Sequence, residues 1–453
     1  MTLHGDSSAL AAVADKVKWD ERANCFRAEA RHYGTIALTL HRAKNPFQDD
    51  AKAFDKQPFD LEGEFAPRPH QQMAIKRWAE QDHNGVVVMP TGSGKSLVAR
   101  LAIARIKRDA LIVVPTLDLM HQWVEQLSSA FKQEIGMLGG GEHRIEPITV
   151  STYDSAAIHM ERIGNHFGLL ICDECHHLPS TQNRMVALMS IAPFRLGLTA
   201  TPERTDGGEA LLYELMGDEA HRVEIGHLEG NYLAPYDLQQ VPIILDDDER
   251  ALYDSAYAHY RAFASANNIR FGSPGGWQNF IMVCYRSREG REAFKAYRLQ
   301  KKISRASRAK LRAVWQLLRQ HRTEQAILFT DDNATAYAIG ETFFLPCITH
   351  KTRMAERKQL LQMFRAGTIR HLVTSRVLNE GVDVPDVAVG IIVSGTGSVR
   401  EHVQRLGRIL RPRDGKQAVL YELVSEDTGE TFTSARRRQH AAYQKDQGVL
   451  GEC

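Results

Sequence analysis

No apolar stretch in this sequence approaches the ~18 consecutive residues that a membrane-spanning helix needs, so no span is expected. Charge of one sign is lacking too. The chain has 57 Lys and Arg against 55 Asp and Glu, a formal balance of +2. That excludes a uniform polycation, and any contact with nucleic acid has to come from local patches. Cysteine is sparse: Cys25, Cys172, Cys175, Cys284, Cys347 and Cys453 are scattered along 453 residues. This spacing speaks against a disulfide framework and predicts reduced thiols in a cytoplasmic protein. The Ala-rich stretch from Ala9 to Ala14 has no basic start before it, so no secretory signal is evident. What is present is ordinary for a packed globular chain: 43% apolar residues and a length that suggests about two to four domains.

Hydrophobic patterning divides the chain. Residues 1–60 form a leading module in which Tyr33, Ile36, Leu38 and Leu40 read as strands or a short hairpin. Over 61–240, apolar runs such as Val86–Met89, Leu111–Val114, Leu169–Cys172 and Leu196–Thr199 alternate with helical patterns such as Leu117–Phe131. That alternation predicts a parallel sheet covered on both faces. Over 241–304, Tyr253, Tyr257 and Tyr260 recur at helical spacing, which predicts a helical insertion with these rings in its core. The alternation resumes over 305–430 as a second α/β domain, and a polar tail occupies 431–453. The fold class is therefore α/β, with two tandem parallel-sheet domains.

The chemistry concentrates at strand ends. Pro90-Thr91-Gly92-Ser93-Gly94-Lys95-Ser96 follows the strand Val86–Met89. Gly92 and Gly94 let the backbone turn its N–H groups inward to cradle phosphates, and the following helix adds its positive N-terminus. In such a loop Lys95 reaches the β- and γ-phosphates, and Ser96 holds Mg²⁺. The strict pattern asks for glycine where Met89 stands. Asp173-Glu174-Cys175-His176 ends the strand Leu169–Cys172. Asp173 suits Mg²⁺, Glu174 suits activation of the attacking water, and His176 suits phosphate sensing. Zinc on Cys172, Cys175, His176 and His177 is the competing reading. It needs four converging ligands, and no second Cys/His cluster follows. Thr199 and Thr201 at another strand tip suit coupling of the acidic pair to the second domain. Arg68 and Gln71, before the loop, suit an adenine edge. In the second domain Gly381 and Asp383 suit nucleotide contact. Arg408 and Arg411, three apart on one helical face, suit the γ-phosphate, with Gln404 beside them. Together these residues predict an ATP site shared by two domains, as in a motor.

These motifs, in this order, resemble a superfamily 2 helicase of the DExH type, and most of all the XPB-type DNA repair helicases in their compact archaeal and bacterial form. The likeness rests on Arg68–Gln71, Pro115-Thr116 with Gln122-Trp123, Thr152–Ala156, Asp173–His177, Leu198–Gly207, Thr349–Thr352, Ser375–Val384 and Gln404–Arg411. It implies two RecA-like domains, a damage-recognition-like module at 1–60, a thumb at the insertion, and ATP with Mg²⁺. It also implies movement on DNA with 3′-to-5′ polarity, a role in DNA repair and, in some relatives, a nuclease partner. By the same resemblance Pro115, Thr116, Thr152, Arg204, Asp206, Thr349, His350 and Arg376 contact DNA. The family's Arg-Glu-Asp element stands here as Arg204-Thr205-Asp206, so strand opening by that element is not carried over.

Thirteen Lys and Arg crowd between Arg286 and Arg322, opposed in sequence by Glu289 and Glu292 alone. That segment suits phosphate contact. Trp277, in a glycine-rich loop, suits stacking on a base. Two other readings stay open at this level: an RNA-directed enzyme of the same fold, and an ATP-gated DNA-binding subunit without strand separation.

Overall fold

The computed structural model describes residues 1–5, 10–44, 46–63, 66–203, 207–223, 236–273, 275–375, 387–395 and 418–438. These residues fall into two compact units, one before residue 229 and one mainly after it. No helix among them is long and apolar enough to cross a membrane.

The first unit opens with a small antiparallel sheet of β1 (Thr2–Leu3), β2 (Lys18–Asp20) and β3 (Cys25–Arg27), followed by helix α1 (Tyr33–Arg42). The strands or hairpin expected over Phe26–Leu40 are therefore mostly helix. The burial explains why: Tyr33, Ile36 and Leu40 are buried at helical spacing, and Leu38, which made the pattern look alternating, is exposed.

The main sheet of this unit contains β4 (Asn84–Val88), β5 (Ala110–Val114), β6 (Gly136–Gly139), β7 (Glu142–Arg144), β8 (Ile148–Thr152), β9 (Leu169–Asp173), β10 (Phe194–Thr199) and β11 (Glu219–Arg222), in the order β11-β4-β10-β9-β5-β8-β6-β7. All pairs are parallel except β6 with β7. β5 and β9 are buried along their whole length, as strands covered on both faces must be. The helices are α2 (Pro69–Glu80), α3 (Lys95–Ile106), α4 (Leu117–Phe131), α5 (Tyr153–Ile163), α6 (Arg184–Leu188) and α7 (Glu209–Met216). In α4, Met120, Trp123, Leu127, Ala130 and Phe131 form the buried stripe. Side chains the size of Met120, Leu127 and Phe131 each contribute about 1.5–3 kcal/mol on full burial.

The second unit has an all-parallel sheet in the order β12-β17-β16-β13-β15-β14, built from β12 (Tyr236–Ile243), β13 (Ala326–Phe329), β14 (Cys347–Ile348), β15 (His371–Thr374), β16 (Val389–Ile392) and β17 (Ala418–Ser425). β12 crosses the boundary drawn at 240 and pairs over its whole length with β17, so this sheet begins earlier than the hydrophobic pattern suggested. The insertion consists of α8 (Asp247–Ala266), α9 (Gly276–Arg286) and α10 (Arg288–Arg305), around a core of Tyr260, Ala264, Ile269, Phe280, Cys284 and Ala293. Tyr253 and Tyr260 are buried as expected, but Tyr257 is exposed, because the buried stripe of α8 runs Tyr253, Ala256, Tyr260, Ala264. Helices α11 (Arg308–Gln320), α12 (Asn333–Phe343), α13 (Met354–Arg365) and α14 (Gly429–Arg438) complete the unit.

Candidate nucleotide site

Register brings the site together. Val88 of β4 pairs with Thr199 of β10, and Leu198 pairs with Asp173 of β9. The phosphate loop, the acidic pair and the Thr199–Thr201 tip therefore share one edge of the sheet, the carboxyl ends of parallel strands where such folds bind ligands.

The loop turns through two left-handed glycines, Gly92 at φ 85° and Gly94 at φ 90°. Gly94 also has no room for a side chain, since a Cβ there would lie 2.2 Å from Gln71 Nε2. Gln71 is the brace behind the loop. Its Oε1 accepts from Arg68 N at 2.9 Å, and its Nε2 donates to Ser93 O at 3.0 Å. Both ends of the Gln71 amide are thus engaged inside the protein. His70 Nε2 reaches the same Ser93 carbonyl at 3.0 Å, a brace that no sequence signal marked. Ser93 Oγ donates to Pro90 O at 2.6 Å. Lys95 and Ser96 open helix α3.

Lys95 Nζ donates to Glu174 Oε1 at 3.1 Å, with both side chains only 11% exposed. Glu174 stands at φ 47°, ψ 50°, just past the end of β9. Its other oxygen lies 3.5 Å from His176 Nδ1, which is 3.1 Å from Thr199 Oγ1. The Thr199 hydroxyl donates to Thr201 O, so it accepts from His176, and the His176 proton belongs on Nδ1. A continuous polar chain therefore runs from Lys95 through Glu174 and His176 to Thr199 and Thr201. Asp173 is buried beside it. Its Oδ1 accepts from Glu174 N at 3.0 Å and its Oδ2 from Trp123 Nε1 at 2.9 Å, while its carbonyl accepts from Tyr153 OH at 3.0 Å. Burial first, and then the Glu174 charge, push the Asp173 carboxyl above its ordinary range, against the opposing pulls of Lys95 and Trp123.

These residues fit a triphosphate with its magnesium. The donor set of Ser96 and Asp173 is hard oxygen, as Mg²⁺ prefers. Thr91 Oγ1 and Thr201 Oγ1 are buried at this edge without a hydrogen-bond partner among the described residues, and buried polar atoms normally have one. Cys172 and Cys175 take no part. They lie in the core cluster under the sheet, where burial pushes both thiols up.

The residues expected to meet nucleic acid are spread over both units. Thr116 caps α4 and Thr152 caps α5, each accepting from a backbone N–H at 3.3 Å. Pro115 immediately precedes the first of these caps. In the second unit Thr349 is buried, with its hydroxyl 2.8 Å from Tyr337 OH, while neighbouring His350 is exposed. Trp277 is not in a loop but on the first turn of α9. It is 38% exposed, and its ring centroid lies 4.9 Å from that of Tyr297. Arg204, Asp206, Arg376, Gly381, Asp383, Gln404, Arg408 and Arg411 lie outside the described residues.

The basic segment divides once folded. Arg305 pairs with Asp331 and Asp332, Arg308 with Asp248, Lys310 with Glu430, and Arg312 with Asp246. The segment is therefore not equally available to phosphate: carboxylates remote in sequence pair with Arg305, Arg308, Lys310 and Arg312. An exposed basic row runs along α10. Arg288, Arg291, Lys295, Arg298 and Lys302 are all exposed at i, i+3, i+7, i+10 and i+14, a row about 21 Å long on one helical face. Lys295 also carries Glu292.

Comparison with known proteins follows the same order along the chain. The Xeroderma pigmentosum group B helicase damage recognition domain matches residues 1–51. The type III restriction enzyme res subunit matches 64–204. The ERCC3/RAD25/XPB C-terminal helicase matches 291–449. The crystal structure of the Pyrococcus furiosus Hef helicase domain aligns with a TM-score of 0.54 at 18% identity, covering 82% of this chain and 98% of that one. The fold is thus that of a helicase core. The chain is 37% identical to the DNA 3'-5' translocase XPB2 of Sulfurisphaera tokodaii over 94% of its own length and 97% of that protein. It is 32% identical to the DNA 3'-5' helicase XPB of Mycobacterium tuberculosis over 91% of its own length and 70% of that protein. The chain belongs to the XPB family of helicases.

Proposed function

We propose that this chain is an ATP-dependent DNA translocase or helicase of 3′-to-5′ polarity, acting in DNA repair. The reading is carried by one observation: Lys95, Glu174, Asp173 and His176 converge at a single strand edge. Lys95 is held on Glu174 and would exchange that carboxylate for phosphate oxygens as nucleotide enters. Glu174, released, accepts a proton from the attacking water. Ser96 and Asp173 would hold Mg²⁺, which when bound neutralises charge on the phosphates. His176 senses the change at Glu174 and passes it to Thr199 and Thr201. Arg408 and Arg411 are assigned by family resemblance to the γ-phosphate, with Gly381, Asp383 and Gln404 around the nucleotide. Contacts to phosphates carry no sequence code, which suits a protein that moves along its track.

The test compares ATP hydrolysis with single-stranded DNA, forked DNA and RNA of equal length, with displacement of a labelled strand from a 3′-tailed duplex measured alongside. DNA should stimulate hydrolysis more than RNA does. Stronger stimulation by RNA would overturn the choice of substrate, and the absence of stimulation by any nucleic acid would overturn the motor.

The α10 stripe adds a quantitative expectation. If Arg298 and Lys302 touch DNA phosphates, Arg298→Ala and Lys302→Ala should each reduce the slope of log affinity against log salt by about 0.7–0.9. Arg312→Ala, which removes a cation already paired with Asp246, should leave the slope unchanged. Titrations at several salt concentrations decide it, and equal effects from all three variants would remove the stripe from the interface.

A further inference from the structure

Asp173 is gripped from two directions by aromatic residues that the reaction chemistry does not use. Trp123 lies two turns into α4, whose N-cap is Thr116, and donates its indole N–H to the Asp173 carboxylate at 2.9 Å. Tyr153 is the first residue of α5, whose N-cap is Thr152, and donates its hydroxyl to the Asp173 carbonyl at 3.0 Å. All three residues are buried: Trp123 and Tyr153 are each 3% exposed and Asp173 6%. Both aromatic residues therefore ride on helices whose first turns carry the residues expected to meet nucleic-acid phosphate.

The two helix starts approach one backbone position. Gly139, at the end of β6, lies between them, and a Cβ there would come within 3.3 Å of Met120 Sδ, Ser155 Oγ and Thr152 Oγ1. The first turns of α4 and α5 thus pack around the same glycine. Interiors packed this closely transmit strain.

At the other end, the Asp173 carboxylate has few degrees of freedom. Oδ1 is tied to the Glu174 amide and Oδ2 to the indole, so the Trp123 bond fixes rotation of the carboxylate and with it the direction of its remaining lone pairs. An indole N–H in a core needs an acceptor, but a backbone carbonyl would serve for packing alone. Here the acceptor is the residue placed to hold the metal.

We propose that Trp123 and Tyr153 are positioning residues. They convert occupancy of the Thr116 and Thr152 helix starts by a nucleic-acid phosphate into the orientation of Asp173, and so link track binding to magnesium–nucleotide binding. This rests on the proposed function for the phosphate end, but not for the grip on Asp173.

The experiment measures the affinity of a fluorescent, non-hydrolysable ATP analogue in four conditions, with and without MgCl₂ and with and without a single-stranded oligodeoxynucleotide. It uses the full chain and its Trp123→Phe and Tyr153→Phe variants. Phe removes the donor in both variants and keeps the ring of Tyr153, but it leaves a smaller ring in place of the buried Trp123 indole, so folding is checked by circular dichroism and melting temperature. In Trp123→Phe the tightening that magnesium brings should shrink about ten-fold, the size expected for loss of one hydrogen bond to a charged group. Affinity without magnesium, and affinity for the oligonucleotide itself, should stay at the parent value. In Tyr153→Phe the increment added by DNA should shrink while the magnesium increment without DNA is largely kept. An unchanged magnesium increment in Trp123→Phe would overturn the proposal. Equal loss with and without magnesium would also overturn it, because the indole would then act only through packing. If the parent chain shows no DNA increment, the proposed function fails, yet the magnesium comparison still decides the role of Trp123.

Discussion

Glu174→Gln is expected to slow ATP turnover by about 10²–10⁴-fold, the range for losing a positioned general base, while nucleotide binding stays within a few-fold of the parent. Glutamine is isosteric with glutamate. It can still accept from Lys95 Nζ, which now lies 3.1 Å from Glu174 Oε1, and it tolerates the φ 47° backbone as well as glutamate does. What disappears is the charge and the ability to take a proton from water. Lys95→Ala makes the complementary case. It removes the cation from between the loop and a buried acidic pair, so the chain should lose both nucleotide affinity and turnover. The two variants thus separate binding from chemistry at one site. Steady-state phosphate release and equilibrium binding of a fluorescent nucleotide read the two quantities. A Glu174→Gln protein turning over near the parent rate would remove Glu174 from its assigned role, and the proposed mechanism with it.

The phosphate loop and the acidic strand end were legible in the sequence because their chemistry is local. A turn, a lysine and a helix start must be contiguous, and so must two carboxylates at a strand tip. The alternating strands were legible for a similar reason, since β5 is a short, wholly apolar run and β9 is apolar up to Asp173 at its tip. The leading module was less so. Ile36, Leu38 and Leu40 alternate like a strand, and only the burial of Tyr33 with Ile36 and Leu40 reveals the helix. Contacts between distant segments left no signature. Trp123 and Asp173 are 50 residues apart and Tyr153 and Asp173 are 20 apart, so the sequence showed these aromatics as part of a family pattern, without their acceptor. The basic segment misled in the same way. Charge counting along the chain sees Glu289 and Glu292, whereas Asp246, Asp248, Asp331, Asp332 and Glu430 reach it only through the fold.

Glu430→Ala is expected to destabilise the second unit by about 3–5 kcal/mol, the cost typical of removing one partner from a buried ion pair. Lys310 is fully buried, and its Nζ donates to Val393 O at 2.7 Å and to Glu430 Oε2 at 2.5 Å. Glu430 also accepts from Ser425 N at 3.2 Å. The ammonium therefore ties the exit of β16 to the end of β17 and the start of α14. In the chain, these strands flank the segment that contains Gln404–Arg411. The two partners are not equivalent. Without Glu430 the ammonium stays buried without its carboxylate. Without Lys310 the carboxylate, 13% exposed, keeps the Ser425 amide and some access to water. Lys310→Met should therefore cost less than Glu430→Ala, and Lys310→Met combined with Glu430→Leu should recover much of the loss, because apolar replacement of a whole buried pair is often near neutral. Denaturant unfolding of the parent, Glu430→Leu, Lys310→Met and the double variant, followed by circular dichroism and treated as a double-mutant cycle, reads the coupling, with Glu430→Ala measured beside them. If Glu430→Ala unfolds with the parent, or if the double variant loses the sum of the two single losses, the clamp does not hold these strands.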